Sequence, residues 1–84
     1  MNVSGAARGL AFAAKAHIDA AFREAGRRMN LGEEAALRVR IQDAIQAGMR
    51  DPRDIAMQAL AREGHTPRRL QHGAVTLITI RGPA

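Results

Sequence analysis

The histidines are the side chains of this sequence best suited to acid–base or metal chemistry, and there are three: His17, His65 and His72. His17 precedes Ile18, which belongs to an apolar helical stripe, so a boundary or surface position is the commoner interpretation. His65 and His72 flank a predicted strand, but two histidines without a third ligand make a weak metal site. The chain has no cysteine, which excludes thiol nucleophiles and Cys-based zinc sites. We expect no catalytic residue, no metal and no cofactor, and we do not expect an enzyme.

Arginine offers a second kind of chemistry, the binding of phosphate. Twelve of the thirteen basic residues are arginine, and eight acidic residues leave a formal net charge of +5. The forked donors of the guanidinium group suit phosphate, so this balance favours a polyanionic partner. A GC-rich genome that encodes arginine in place of lysine would give the same count.

The positive charge is concentrated at the C-terminal end, because the last twenty residues contain three arginines and no acid. Arginines at the start of the third predicted helix and on the predicted hairpin are candidates for phosphate contact, and the outer side of that helix could reach base edges. In the alternative interpretation Arg50 and Arg53 are solvated, with Asp51 and Asp54 as their charge partners. The predicted DNA-binding residues are Arg50, Arg53, Gln58, Arg62, Arg68, Arg69 and Arg81.

Three helices must position these residues. Apolar residues spaced three or four apart predict a first helix over 4–29, ended by 30–32. Its stripe consists of Leu10, Ala14, Ile18, Phe22, Ala25 and Met29. Arg27 and Arg28 then lie at the negative end of its dipole.

A second helix is predicted over 33–48 and a third over 52–63. Glu33 and Glu34 suit the positive end of the second helix dipole, and Gly48 lies near its end. Asp51 followed by Pro52 is a typical helix start, and Gly64 a typical helix stop.

The pattern changes to a period of two after the third helix. Residues 74–81 alternate with apolar side chains on both faces, which predicts a β-strand. Its partner is predicted at 66–70, joined through 71–73, and Pro67 marks that partner as an edge. The hairpin as a whole is predicted over 65–81.

The predicted order is three helices and then a C-terminal β-hairpin within one domain over 1–84. This makes an α+β fold with a winged-helix-like plan, in which a helix lies in the major groove and the hairpin touches the DNA backbone. The same elements also build modules that do not bind DNA.

Segments 41–55, 60–64 and 78–83, with Arg69 and Gly73, resemble a stretch of mobilisation-type conjugative relaxases that follows their catalytic domain. There, an amphipathic helix ending in glycine, an Asp-initiated helix ending in glycine, and a hairpin follow one another. The likeness covers about 37–83. Relaxases cut DNA with a tyrosine and a metal held by histidines, and this chain has no tyrosine. The resemblance therefore implies a non-catalytic accessory or remnant module for conjugation or plasmid mobilisation.

Two functions of different class remain open. The first is a small DNA-binding module of a plasmid, phage or other mobile genetic element, contacting phosphates through the basic hairpin and the start of helix three. The second is a plasmid- or phage-encoded interaction or inhibitor module, for example in anti-defence, that docks on a host protein. The Ala-rich first helix and the two-faced strand favour a homodimer under either hypothesis. The lack of cysteine, of a leader and of a long apolar run predicts a cytoplasmic chain without membrane partners.

Overall fold

Three helices precede two strands along the chain. The computed structural model describes residues 5–81, and its elements are α1 (Gly5–Glu24), α2 (Leu31–Gln46), α3 (Pro52–Arg62), β1 (Arg68–His72) and β2 (Val75–Thr79). The strands form one antiparallel two-stranded sheet. The predicted α+β class, with three helices and a C-terminal hairpin, is confirmed. No helix within 5–81 is long and apolar enough to cross a membrane.

Each helix is closed by a glycine with a positive φ angle, at Gly26, Gly48 and Gly64. After α1, the Gly26 amide donates to the Arg23 carbonyl at 3.1 Å and the Arg27 amide donates to the Phe22 carbonyl at 2.9 Å. This pair of bonds is the Schellman motif, and it recurs after α2 and α3. The first helix is therefore shorter than the predicted 4–29, because Gly26 ends it before residues 30–32 are reached; residue 4 lies outside the described residues.

The segment around Asn30 begins a helix, so the prediction that it ends one is wrong. The Asn30 side chain accepts a hydrogen bond from the Glu33 amide at 2.7 Å, and the Glu33 carboxylate accepts one from the Asn30 amide at 3.2 Å. This capping box starts α2 at Leu31, two residues before the predicted boundary. Asp51 caps α3 as predicted, and its carboxylate accepts from the Arg53 amide at 2.8 Å.

The hairpin turn is tighter than the sequence pattern suggested. Arg68 pairs with Thr79 and His72 pairs with Val75, which leaves only Gly73 and Ala74 between the strands. Gly73 has φ 60° and Ala74 does not have a positive φ, the pattern of a type II′ turn, whose twist matches the flanking strands. The first strand therefore lies at 68–72 instead of 66–70, and Pro67 precedes it.

The core lies where α1 meets α2, α3 and β2. Its residues are Ala14, Ile18, Ala21, Phe22, Leu37, Ile41, Ala44, Ile55, Ala56, Ala59, Leu60, Ile78 and Ile80. The hairpin contributes only the last two of these. The opposite face of β2 is open to solvent, because Val75 and Leu77 are exposed.

Replacing glycine with alanine has opposite effects at two positions of this fold. Gly26→Ala forces a Cβ into left-handed backbone with φ 69°, so we expect unfolding to become easier by about 1–2 kcal/mol. Gly9→Ala lies inside α1 and is the matched control, expected to stabilise by about 0.5–1 kcal/mol. Neither added Cβ meets an atom within 4 Å. Urea unfolding at low, fixed protein concentration measures both, and equal effects of the two substitutions would contradict the assigned helix end.

Candidate nucleic-acid interface

The first part of the candidate interface is a groove between α3 and β1. Its volume is about 520 Å³, and it is lined by Asp54, Met57, Gln58, Ala61, Pro67 and Arg69. The Arg69 guanidinium donates to the Asp54 carboxylate across this groove. The alternative interpretation of the sequence made Asp54 a local charge partner of the arginines at the start of α3, but its hydrogen bond and ion pair are with the hairpin arginine Arg69. This ion pair ties β1 to the first turn of α3.

Arg68 and Arg81 form the second part, at the base of the hairpin. They line a depression of about 170 Å³ together with Thr66, Thr79 and Ile80. Both arginines are exposed. Within 5–81, neither guanidinium group donates to a carboxylate or a carbonyl. Arg68 and Arg69 diverge because successive residues of a strand point to opposite faces.

Arg50 does not project freely at the entry to α3. Its Nη1 donates to the Met49 carbonyl at 2.8 Å and to the Ile45 carbonyl at 3.3 Å, at the end of α2. The cation therefore complements the negative end of the α2 dipole. The alternative interpretation, in which Arg50 is solvated and paired with Asp51, does not include this contact. Arg50 is better placed to stabilise α2 than to contact a ligand.

Arg53 and Asp51 act on each other at the start of α3. The backbone amide of Arg53, which donates to the carboxylate, is the largest cause of a lowered pKa at Asp51, and the positive charges of Arg53 and Arg69 add to it. The Arg53 side chain is exposed. It lies close enough to His17 to disfavour protonation of that imidazole.

Gln58 and Arg62 share one face of α3, since they are four residues apart. Gln58 is partly buried and faces the groove beside Arg69, while Arg62 is exposed. No hydrogen bond or ion pair joins the Arg62 side chain to the part of the chain that the structure describes. The structure thus places Gln58 and Arg69 along one groove and Arg68 and Arg81 along one depression, whereas Arg50 is held at the end of α2.

A cluster that the sequence did not reveal anchors the hairpin. The Arg27 guanidinium lies 5.2 Å from the centre of the Phe22 ring, and the His65 ring meets that ring edge-on at 5.2 Å. Glu33 Oε2 lies 3.7 Å from Arg27 Nη2 and 3.9 Å from His65 Nε2. These side chains come from after α1, the start of α2 and the segment before β1. Only tertiary packing brings them together, so no local signal could have found them.

Arg27 lies three residues beyond the end of α1, where its guanidinium contacts the Phe22 ring and the Glu33 carboxylate. His65 packs against Phe22 before β1, and His72 is the last residue of that strand. Among residues 5–81, no three His, Cys, Asp or Glu side chains are grouped so that they could hold a metal ion.

Comparison with known proteins gives no further guide, since no family model, curated protein or solved structure matches this chain. The function must therefore be argued from the residues described above.

Partial burial of His17 generates a prediction about pH. Burial, reinforced by Arg53, lowers the pKa of His17 below its ordinary value of 6.5, while Asp51 acts in the opposite direction. As the pH falls below 6.5, the unfolded chain takes up this proton before the folded chain does, so the free energy of unfolding should fall. More than about one pH unit above 6.5, His17 should contribute no slope, because neither the folded nor the unfolded chain then holds this proton.

Urea unfolding between about pH 7 and about pH 5 tests this expectation, because His17→Gln should flatten the slope in that interval. The pKa values of Asp51 and Glu34 are lowered from their ordinary values of 3.8 and 4.5, so these carboxyl groups change the free energy of unfolding mainly below the pH interval of this experiment. An unchanged slope in His17→Gln would rule out the assigned cause.

Proposed function

We propose that this chain is a small, non-enzymatic DNA-binding module with a winged-helix-like arrangement, in which α3 and the hairpin contact duplex DNA. The observation that carries the proposal is that Arg68 and Arg81 line the same surface depression, both exposed and without an acidic partner among the described residues. Two cationic side chains that line one depression offer a site for an anion, and a DNA phosphate is such an anion.

The surroundings of this pair support the same function. Residues 65–81 contain no acid, so the hairpin surface carries unbalanced positive charge except at Arg69. The groove between β1 and α3 aligns Gln58 with the hairpin, and Arg62 extends the same face of α3. In a winged-helix arrangement such a helix enters the major groove while the wing follows the phosphates. Gln58 is then the candidate for a base edge, and Arg62, Arg68 and Arg81 for phosphates.

The Arg69–Asp54 pair links the hairpin to α3 in this proposal. It spans the groove, and both side chains are about half exposed, so it holds the two elements together only weakly. While the pair is formed, the Asp54 carboxylate neutralises a guanidinium that could otherwise contact phosphate.

The resemblance to the segment that follows the catalytic domain in mobilisation-type relaxases supports a place on a mobile genetic element. Under this proposal the chain binds DNA in the cytoplasm of the host and leaves any cleavage to another protein. Its DNA contacts would be mainly to phosphates, so its affinity would depend strongly on salt.

One observation favours the second function, a protein-interaction module. Leu70, Val75 and Leu77 are between 43% and 57% exposed on the outer face of the hairpin, and Leu70 lies directly opposite Leu77. A clustered apolar face of this kind is typical of a docking surface for a host protein.

Removal of the two hairpin charges should weaken DNA binding and its salt dependence together. For Arg68→Ala with Arg81→Ala, we expect the slope of log affinity against log salt to become shallower by about 1.8, the effect of two lost contacts to B-DNA. Fluorescence anisotropy with an arbitrary duplex at several salt concentrations measures this slope. Arg23→Ala with Arg28→Ala removes the same charge from exposed positions on α1 and just after it, and should change the slope less. Undetectable binding of the unaltered protein at low salt would leave only the interaction hypothesis.

Release of Arg69 from its carboxylate should strengthen DNA binding. Asp54→Asn removes a negative charge from the interface and frees the guanidinium, so the salt slope should steepen by up to about 0.9. The stability cost should stay within about 1 kcal/mol, because both side chains are about half exposed. Asp43→Asn, an exposed acid on α2, is the control for net charge. If Arg69→Ala in the Asp54→Asn background retains the gain, Arg69 does not contact DNA.

A further inference from the structure

The two aromatic residues of this chain have opposite environments. Phe22 is 2% exposed in the core, whereas Phe12, ten residues earlier on the same helix, is 79% exposed. Phenylalanine has one of the largest apolar side chains, and the transfer of its ring out of water is strongly favourable in free energy. Phe12 therefore marks a part of α1 whose apolar surface is not covered by the other residues of 5–81.

Phe12 lies at an open groove between α1 and α2. The groove has a volume of about 700 Å³, and its apolar lining includes Ala7, Ala11, Ala16 and Ile41. A groove of this size can accept large side chains, and small alanines on α1 allow another helix to approach closely.

The charged residues of the groove are largely balanced within the chain. Lys15 Nζ lies 2.7 Å from an oxygen of Asp19 and 3.3 Å from one of Glu34, and Arg38 donates to Glu34 at 3.2 Å. Arg8 is the exception, because its guanidinium has no hydrogen bond or ion pair to the described residues. An occupant of the groove should therefore bring one carboxylate to Arg8.

α1 itself carries that carboxylate at the matching distance. Arg8 and Asp19 both line the groove and are eleven residues apart, which is about three helical turns and about 16 Å along the axis. In two antiparallel copies of α1 whose twofold axis passes between Ala13 and Ala14, Arg8 faces the partner's Asp19, and Asp19 faces the partner's Arg8. When two copies of this face are placed antiparallel, each positive charge of the Arg8–Asp19 set meets a negative one. A twofold interface requires a surface that is self-complementary in this way.

The same arrangement covers the exposed ring. Phe12 then faces the partner's Lys15, and the two Phe12 residues lie about 4–5 Å apart along the helix axis, within reach of an edge or offset ring contact. The aliphatic part of the lysine packs on the ring, while its ammonium stays with Asp19 and Glu34. No buried charge is left without a partner.

We propose that the occupant of this groove is a second copy of the chain, and that α1 pairs antiparallel with α1 of the partner through Phe12 and two Arg8–Asp19 ion pairs. The surface offered by one helix and a groove is smaller than the roughly 800 Å² per partner of a standard interface, so the dimer is a weak one that forms at high protein concentration. This interface lies on α1 and α2 and leaves the hairpin arginines available.

Charge reversal tests the arrangement independently of DNA. Arg8→Asp and Asp19→Arg should each weaken dimerisation about tenfold, because symmetry makes each change place two like-charge pairs at the interface. The double variant Arg8→Asp/Asp19→Arg restores opposite charges and should return to within a few-fold of the unaltered protein. Sedimentation equilibrium over a wide concentration range measures these constants, and circular dichroism confirms that each variant is folded.

Two further variants separate this interface from others. Arg23→Asp changes charge equally at an exposed site on α1 outside the proposed pairs and should leave dimerisation unchanged. Phe12→Ala should leave the fold intact and remove measurable dimer. Three results would overturn the proposal: a monomer at every accessible concentration, a double variant no better than the single ones, or a dimer lost on Leu77→Ser but kept in Phe12→Ala.

Discussion

The burial of one face of α1 is the constraint on which the rest of the structure depends. This helix contacts α2, α3 and β2, so every other element but β1 is positioned against it. Five of the thirteen core residues are alanine, which makes the core thin and brings the backbones close. Each large side chain therefore matters more than it would in a larger protein. Ile18 and Phe22, the two largest core residues of α1, hold that contact together.

The hairpin shows what a thin core implies for an attached element. Only Ile78 and Ile80 anchor it in the core, and the two strands present no other buried side chain among those described. The ion pair between Arg69 and Asp54 and the contact of His65 with Phe22 attach it at two further points. Polar contacts thus supplement the small apolar contact between the hairpin and the helices.

Local chemistry was sufficient to predict most of the fold. Helical spacing identified the buried face of α1, and Asp51 with Pro52 located the start of α3, because these signals depend on neighbouring residues only. The boundary near Asn30 was predicted wrongly because asparagine is common at both ends of helices, and only the reciprocal bond to Glu33 decides between them. Gly26 could have indicated the end of the first helix, because glycine commonly ends helices. It stands two residues after the end of α1, as Gly48 stands two residues after the end of α2.

The candidate site was predictable only in part, for a related reason. The count of charges along the sequence identified an acid-free C-terminal segment. Which group each arginine contacts, however, depends on the tertiary packing. Asp54 lies next to Arg53 in sequence and binds Arg69, and Arg50 turns back onto carbonyls of α2. Sequence neighbours are poor guides to ion pairs because a strand or helix end directs adjacent side chains to different faces.

The exposed apolar residues differ in what they imply. A chain of 84 residues cannot bury all of its apolar surface, so isolated cases such as Leu31 and Val39 are ordinary. Phe12 stands apart because a groove and a self-complementary charge pattern accompany it. Leu70 and Leu77 face each other across the hairpin, which also carries Arg68 and Arg81, two arginines without a carboxylate partner among residues 5–81. An apolar surface whose charges complement one another in a twofold arrangement suits a second copy, whereas a surface with surplus positive charge is better suited to the anionic partner that we propose.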